Sequence, residues 1–184
     1  MTTQTNARRI QQLSRDCASS IYGATAPTPR YAEITARLLF MTAAHESGGF
    51  RHRRQIGFSR DSTRGAFGLW QCEQGSIGDS LAMLQRSNRR ALQHHCVAWL
   101  DRWHGLSDIT LHPASLQAIL YALQEPRGDP LSCLLARLHY MRDPEPIPEG
   151  LPCQARYAKD VFNTEAGSAT PMLYFEAYQK YWPG

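Results

Sequence analysis

An apolar helical segment that ends in one carboxylate constrains the fold of this chain more than any other feature. Residues 38–44 are almost entirely apolar, His45, Glu46 and Ser47 follow them, and two glycines then interrupt the pattern. Helical spacing places Glu46 on the same side as Leu39, beside a second apolar stripe. With Thr28-Pro29 as its start signal, the segment predicts a largely buried helix over 29–47 with Glu46 in the last turn.

The chemistry expected of Glu46 follows from that position. Burial disfavours the charged form of a carboxylate, and so does the negative end of a helix macrodipole. Both effects raise the pKa, and a carboxylic acid that stays protonated near neutral pH donates a proton to a leaving-group oxygen. The alternative interpretation is a partly exposed Glu ahead of a glycine helix stop.

A second segment, Gly65-Ala66-Phe67-Gly68-Leu69-Trp70-Gln71, combines two glycines with two aromatic residues and an amide. Glycine lets the backbone approach a ligand closely. Aromatic faces suit the apolar faces of sugar rings, and a Gln side chain hydrogen-bonds hydroxyl and acetamido groups. The alternative is an ordinary glycine-containing turn with Phe67 and Trp70 in the core.

Together the two segments resemble the lytic transglycosylase family of the lysozyme superfamily. In that family a catalytic Glu followed by Ser, here Glu46-Ser47, precedes a Gly-Leu-Met-Gln block, here Gly68-Leu69-Trp70-Gln71. The resemblance covers roughly residues 31–163. Towards its C-terminal end the chain is also similar to small tail-associated transglycosylases of bacteriophages.

Two later family blocks differ here. The block Arg-x-Tyr-Val-x-x-Val has a counterpart in residues 156–161, where Tyr157 and Val161 keep their spacing and the arginine is one residue closer. The Ala-Tyr-Asn-x-Gly block has its nearest candidate in residues 120–123, around Tyr121, which lack both Asn and Gly.

The resemblance implies a fold, a reaction and a set of site residues. The fold is mainly α, of the α+β lysozyme-like kind: a helical bundle around a central helix that ends in the catalytic Glu46, with an irregular or β-hairpin lobe beside a substrate cleft. Glu46 would protonate the glycosidic oxygen and then, as a base, take the proton of the sugar's own 6-hydroxyl, which closes a 1,6-anhydro ring. The expected substrate contacts are Ser47, Gly68, Leu69, Trp70, Gln71, Tyr121 and Tyr157, with no metal and no cofactor.

The implied substrate is the glycan strand of peptidoglycan, cleaved between N-acetylmuramic acid and N-acetylglucosamine. Simple hydrolysis of the same bond is an alternative that needs a second carboxylate. Asp61 and Glu73 are the candidates, although surface charge explains both. A further alternative is a catalytically inactive structural protein of a virion or a secretion machine that keeps the fold.

The remaining pattern predicts one domain over residues 1–184, with 1–28 as an N-terminal extension packed on it. An irregular lobe, with or without a small hairpin, is expected over 50–70, where helical periodicity is missing. Helices are expected at about 6–20, 29–47, 76–87, 88–103, 113–124, 129–142, 152–162 and 171–182.

Charge and composition limit the partners. The net charge of +4 is modest and no nucleic-acid-binding motif occurs, so no nucleic-acid partner is expected. No apolar stretch approaches the length of a membrane span. Residues 1–9 are polar and do not resemble a secretory signal peptide. We therefore expect synthesis in the cytoplasm and action in the periplasm or cell wall, as a virion component or through a secretion apparatus.

Metal chemistry has little support in the sequence. The pair His45-Glu46 fails the zinc protease pattern because Gly49 occupies the position of the second His. His94-His95-Cys96 has no second pair to complete a site. The chain has five cysteines, an odd number, and no Cys-x-x-Cys motif. This pattern argues against a disulfide framework and a structural zinc site, and it predicts buried free thiols.

Overall fold

The computed structural model describes residues 3–23, 25–59, 62–163 and 168–184. In these ranges the chain is mainly α, as predicted. It also contains one small antiparallel hairpin, in which Ala66 of the first strand pairs with Glu73 of the second. A hairpin is one of the two forms expected of the lobe over 50–70, but its second strand lies just beyond that range. The elements are α1 (Thr3–Ser20), α2 (Pro29–Glu46), β1 (Ala66–Phe67), β2 (Cys72–Glu73), α3 (Gln74–Leu84), α4 (Arg90–Leu100), α5 (Leu116–Ala122), α6 (Asp129–Tyr140), α7 (Leu151–Phe162) and α8 (Pro171–Tyr181).

The helix α2 is the centre of the bundle, since it contacts α1, α6, α7 and α8. Its start is as predicted: the Thr28 side chain accepts a hydrogen bond from the Tyr31 N–H at 3.2 Å. Every residue from 38 to 44 is buried. The helix ends at Glu46, and Gly49 follows with φ of 78°. A Cβ at Gly49 would lie 2.5 Å from the Tyr181 ring of α8, so only glycine permits this approach.

The hydrophobic core runs without a break from α1 to α8. Ile10, Leu13 and Cys17 of α1 are almost completely buried in it, and α1 packs along α2. Helix α1 therefore contributes side chains to the core.

The two helices predicted over 76–87 and 88–103 do not meet as expected, because the segment between them is not α-helical. The polar run Gln85-Arg86-Ser87-Asn88-Arg89-Arg90 offers no apolar side chain to bury, and Arg86 adopts an extended backbone. As a result α3 ends at Leu84 and α4 begins at Arg90. The predicted helix over 113–124 is a 3-10 turn at 113–115 followed by α5.

The cysteines are all free, and Cys17, Cys72, Cys96 and Cys133 are buried as expected. Cys153 is exposed, so the prediction of a buried thiol is wrong there. None of the described helices combines the length and the apolar character that crossing a membrane requires.

An ion triad with a buried carboxylate at its centre joins the lobe, α1 and α6. Asp129, with a fully buried side chain, accepts two hydrogen bonds from Arg53, at 2.7 and 2.8 Å. Arg9 of α1 donates a third at 2.5 Å. The carboxylate of Asp129 therefore holds residues 50–59 against the bundle.

Candidate active site

A cleft lies where the end of α2, the lobe, the hairpin and the C-terminal end of α7 meet. Its volume is about 800 Å³, within the roughly 300–1,000 Å³ of small-molecule sites. Glu46 lines this cleft together with Gln71, Glu73, His139 and Asn163. The predicted acid therefore opens into a concavity large enough for sugar rings.

Glu46 is half-buried, and its environment favours the neutral form. The Tyr174 hydroxyl donates a hydrogen bond to Oε1 of Glu46, and the Asn163 amide donates a long one at 3.5 Å. Burial raises the pKa of Glu46; these two hydrogen bonds oppose that effect, and the nearby charge of Glu73 adds to it. The pKa is raised on balance, which confirms the prediction for this carboxyl, with desolvation as the main cause.

Tyr174 is the residue that the sequence interpretation missed. It is fully buried on α8, and its ring packs on His45 with centroids 4.1 Å apart. Burial raises the pKa of Tyr174 far above its ordinary range, so its hydroxyl remains a donor. The signal that could have found it is the spacing of Tyr174, Tyr178 and Tyr181, which puts aromatic residues on one side of the last helix.

Gln71 lies on the cleft as predicted, with the unusual φ of 48°. Its amide nitrogen donates to the Gly68 carbonyl at 2.7 Å and, at 3.5 Å, to the His52 carbonyl. These bonds use the nitrogen, so a substrate would meet the amide through its oxygen, which accepts hydrogen bonds.

The backbone at Gly68 is not available to a substrate, contrary to the prediction. Its N–H donates to the Arg53 carbonyl at 2.9 Å, and its carbonyl accepts from Gln71. A Cβ at Gly68 would lie 2.1 Å from Oγ of Ser132. This glycine is therefore needed for close packing against α6.

Three other predicted contacts are wrong because their side chains are completely buried, namely Ser47, Leu69 and Trp70. Oγ of Ser47 donates to the Ala43 carbonyl and accepts from the Phe50 N–H, which closes the turn after α2. The Trp70 indole donates to the Leu39 carbonyl at 2.8 Å. The alternative interpretation of Trp70, as a core aromatic, is the correct one.

The two predicted tyrosines also lie away from the cleft lining. Tyr121 is 58% exposed on α5. Tyr157 is partly buried, and its ring stacks on Tyr140 with centroids 5.7 Å apart. Among the described contacts, the tyrosine that donates a hydrogen bond to Glu46 is Tyr174. Of the two candidate second carboxylates, Glu73 lines the cleft and Asp61 lies outside the described residues.

One wall of the cleft is basic. Arg51, His52 and Arg54 all line it. Arg51 is exposed, and its Nε donates a hydrogen bond to the Gly48 carbonyl. Its other guanidinium N–H groups could bind an anion of the ligand. Arg54 is held inside the lobe, since its guanidinium lies 3.9 Å from the centroid of the Phe67 ring and donates to the carbonyls of Ser62 and of Ala66 in β1. Substrates that carry carboxylates would be attracted to this wall.

Within the described ranges, no group of three or more His, Cys, Asp or Glu side chains is placed to hold a metal ion. Comparisons with protein-family models, with curated proteins and with solved structures find no significant match. The resemblance to transglycosylases therefore stays a prediction, and the functional assignment depends on the geometry of the cleft.

The raised pKa of Glu46 predicts a trade-off between stability and function. Between the ordinary Glu pKa and the raised one, the unfolded state releases a proton that the folded state keeps, so stability falls as pH rises through this window. Gln at position 46 has no carboxyl to ionise, so it removes this loss of stability. Its amide oxygen can still accept the hydrogen bond from the Tyr174 hydroxyl. We expect Glu46→Gln to have a higher urea midpoint than wild type at pH 7.5, with the difference shrinking at pH 4. A lower midpoint at both pH values would contradict the described environment of Glu46.

Proposed function

We propose that this chain is a lysozyme-like lytic transglycosylase that cleaves the β-1,4 bond between N-acetylmuramic acid and N-acetylglucosamine of peptidoglycan. The observation that carries the proposal is the half-buried Glu46 carboxyl in a sugar-sized cleft, with its pKa raised by burial. A carboxyl in that state can donate the proton that glycosidic bond cleavage requires.

The geometry suggests a role for each neighbour. Tyr174 and Asn163 both donate to Oε1, so they fix the carboxyl and leave Oε2 to carry the proton. Oε2 would protonate the glycosidic oxygen as the bond breaks. The resulting carboxylate is stabilised by the same two donors and takes the proton of the sugar 6-hydroxyl, whose oxygen closes the 1,6-anhydro ring. The Gln71 amide oxygen would accept from the acetamido N–H.

A second candidate function is hydrolysis of the same bond. Glu73 is exposed, lines the cleft with Glu46 and acts electrostatically on it. In an inverting glycosidase the second carboxylate activates a water molecule on the opposite face of the sugar. Glu73 is the one described residue of the cleft lining, apart from Glu46, that carries a carboxylate.

Product analysis separates the two reactions. Purified walls are digested with wild type and with Glu73→Gln, and the released muropeptides are identified by mass spectrometry. We expect 1,6-anhydro ends from both proteins, because the transglycosylase reaction needs no second carboxylate. Reducing ends from wild type that are lost in Glu73→Gln would assign hydrolysis instead. Wall binding in a pull-down, with no released muropeptide, would favour the catalytically inactive structural protein.

The proposed reaction also defines the partners. The ligand is the peptidoglycan glycan strand, whose stem-peptide carboxylates suit the basic wall at Arg51 and His52. Virion or secretion-apparatus proteins are the proposed means of delivery to the periplasm or cell wall.

A further inference from the structure

A serine and a histidine that the proposed cleavage does not use meet on the wall of the cleft. Ser76 lies in the first turn of α3 and His139 near the end of α6, and both line the cleft. Oγ of Ser76 is hydrogen-bonded to Nδ1 of His139. A hydroxyl in contact with an imidazole nitrogen is the arrangement in which the imidazole activates a serine nucleophile.

The second imidazole nitrogen determines the direction of that hydrogen bond. Nε2 of His139 lies 2.9 Å from the Val161 carbonyl oxygen. Because a carbonyl only accepts, Nε2 carries the proton and Nδ1 offers its lone pair, so the Ser76 hydroxyl is the donor. The Val161 carbonyl thus takes the orienting place that a carboxylate has in a Ser-His-Asp triad.

The surroundings keep the imidazole neutral and in place. Burial lowers the pKa of His139, so the ring is an unprotonated base near neutral pH. The Phe162 ring packs beside it with centroids 4.9 Å apart. Contacts from α7, through Val161 and Phe162, therefore fix the orientation of a side chain that belongs to α6.

The start of α3 is a favourable place for negative charge to develop. The first N–H groups of a helix have no partner within the helix, and the positive end of the macrodipole favours negative charge there. Glu73, at the N-cap of α3, makes no side-chain hydrogen bond to this turn. Since Ser76 is in the same turn, charge that develops next to its Oγ would form close to these donors.

We propose that Ser76 and His139 are an acyl-transfer pair that hydrolyses a small O-acyl ester, such as an acetyl ester, on a sugar bound in the cleft. Oγ of Ser76 attacks the carbonyl carbon while Nδ1 of His139 takes its proton. The ester C–O bond breaks and that proton passes to the sugar oxygen. A water molecule, deprotonated by Nδ1, then cleaves the acyl-serine, releasing the carboxylic acid and restoring Ser76.

The two activities would be complementary. Closure of a 1,6-anhydro ring needs a free 6-hydroxyl, and an acyl group on that oxygen blocks it. Removal of the acyl group in the same cleft would prepare such a sugar for Glu46. The identity of the sugar rests on the proposed function, whereas the ester hydrolysis itself does not.

The test is covalent labelling of the folded protein with a fluorophosphonate, combined with turnover of p-nitrophenyl acetate. We expect wild type to be labelled at Ser76, as located by peptide mass spectrometry, and Ser76→Ala not to be labelled there. His139→Gln should slow labelling and turnover by roughly 10²-fold or more. Ser80→Ala is the matched control, because Oγ of Ser80 bonds only to the Ser76 carbonyl among the described contacts, and it should react at the wild-type rate.

Each result decides the matter. Absence of label at Ser76 in wild type overturns the inference whether or not the variants fold, and so does ester turnover that is equal in wild type and in folded Ser76→Ala. Label at Ser76 in a protein that releases no muropeptide would support acyl transfer and refute the proposed glycan cleavage. Muropeptide release without any labelling of Ser76 would support the proposed glycan cleavage and refute acyl transfer.

Discussion

Replacing Glu46 with Gln is expected to lower the rate of glycan release by roughly 10²–10⁴-fold, the usual contribution of a general acid. Gln keeps the volume of the side chain and the acceptor for Tyr174, but it has no acidic proton to give. The measurement is the initial rate at which a suspension of purified walls loses turbidity.

The matched control for this experiment is Glu176→Gln on α8. Glu176 is exposed and does not line the cleft, so its variant should clear walls at the wild-type rate. Equal activity of Glu46→Gln and wild type would refute the role of Glu46, provided that both proteins clear walls at a measurable rate.

The largest loss of stability is expected from Asp129→Asn. Asn keeps the shape of the side chain but removes the charge that two guanidinium groups share, and its NH₂ group would face an arginine donor. Removing one partner of a buried ion pair costs about 3–5 kcal/mol. Because the two arginines left without a partner are partly exposed, the free energy of unfolding should fall by about 3 kcal/mol, the lower end of that range, in urea titrations at neutral pH.

An exposed ion pair provides the control for this second prediction. Asp79 accepts a hydrogen bond from Arg142 at 2.9 Å, but its side chain is 66% exposed. Exposed pairs are worth about 0–1 kcal/mol, so Asp79→Asn should stay close to wild type. A similar small change in Asp129→Asn would show that the triad does not hold the lobe to the bundle.

The sequence was most informative where local rules determine the structure. The cap at Thr28, the apolar run of α2 and the two glycines after it are all short-range signals, and together they placed Glu46 at a buried helix end. These features needed no knowledge of what packs on α2.

The residues that the sequence misplaced depend on long-range packing. Trp70 has the same local signal whether it faces a sugar or the core, and its indole bond to Leu39 is visible only in three dimensions. Tyr174 and Asn163 both bind Glu46, but they are separated from it by 128 and 117 positions in the sequence. Tyr157 was favoured by its spacing to Val161, but its ring stacks on Tyr140.

The most direct measurement is a titration of the Glu46 carboxyl by ¹³C NMR, assigned by the loss of its signal in Glu46→Gln. A midpoint clearly above the ordinary value of a Glu side chain is predicted, and Tyr174→Phe should move it higher still, because that hydroxyl stabilises the ionised form. A midpoint at or below the ordinary value would mean that Glu46 is ionised at neutral pH. It could not then serve as the acid, and the proposed cleavage would have no residue to begin it.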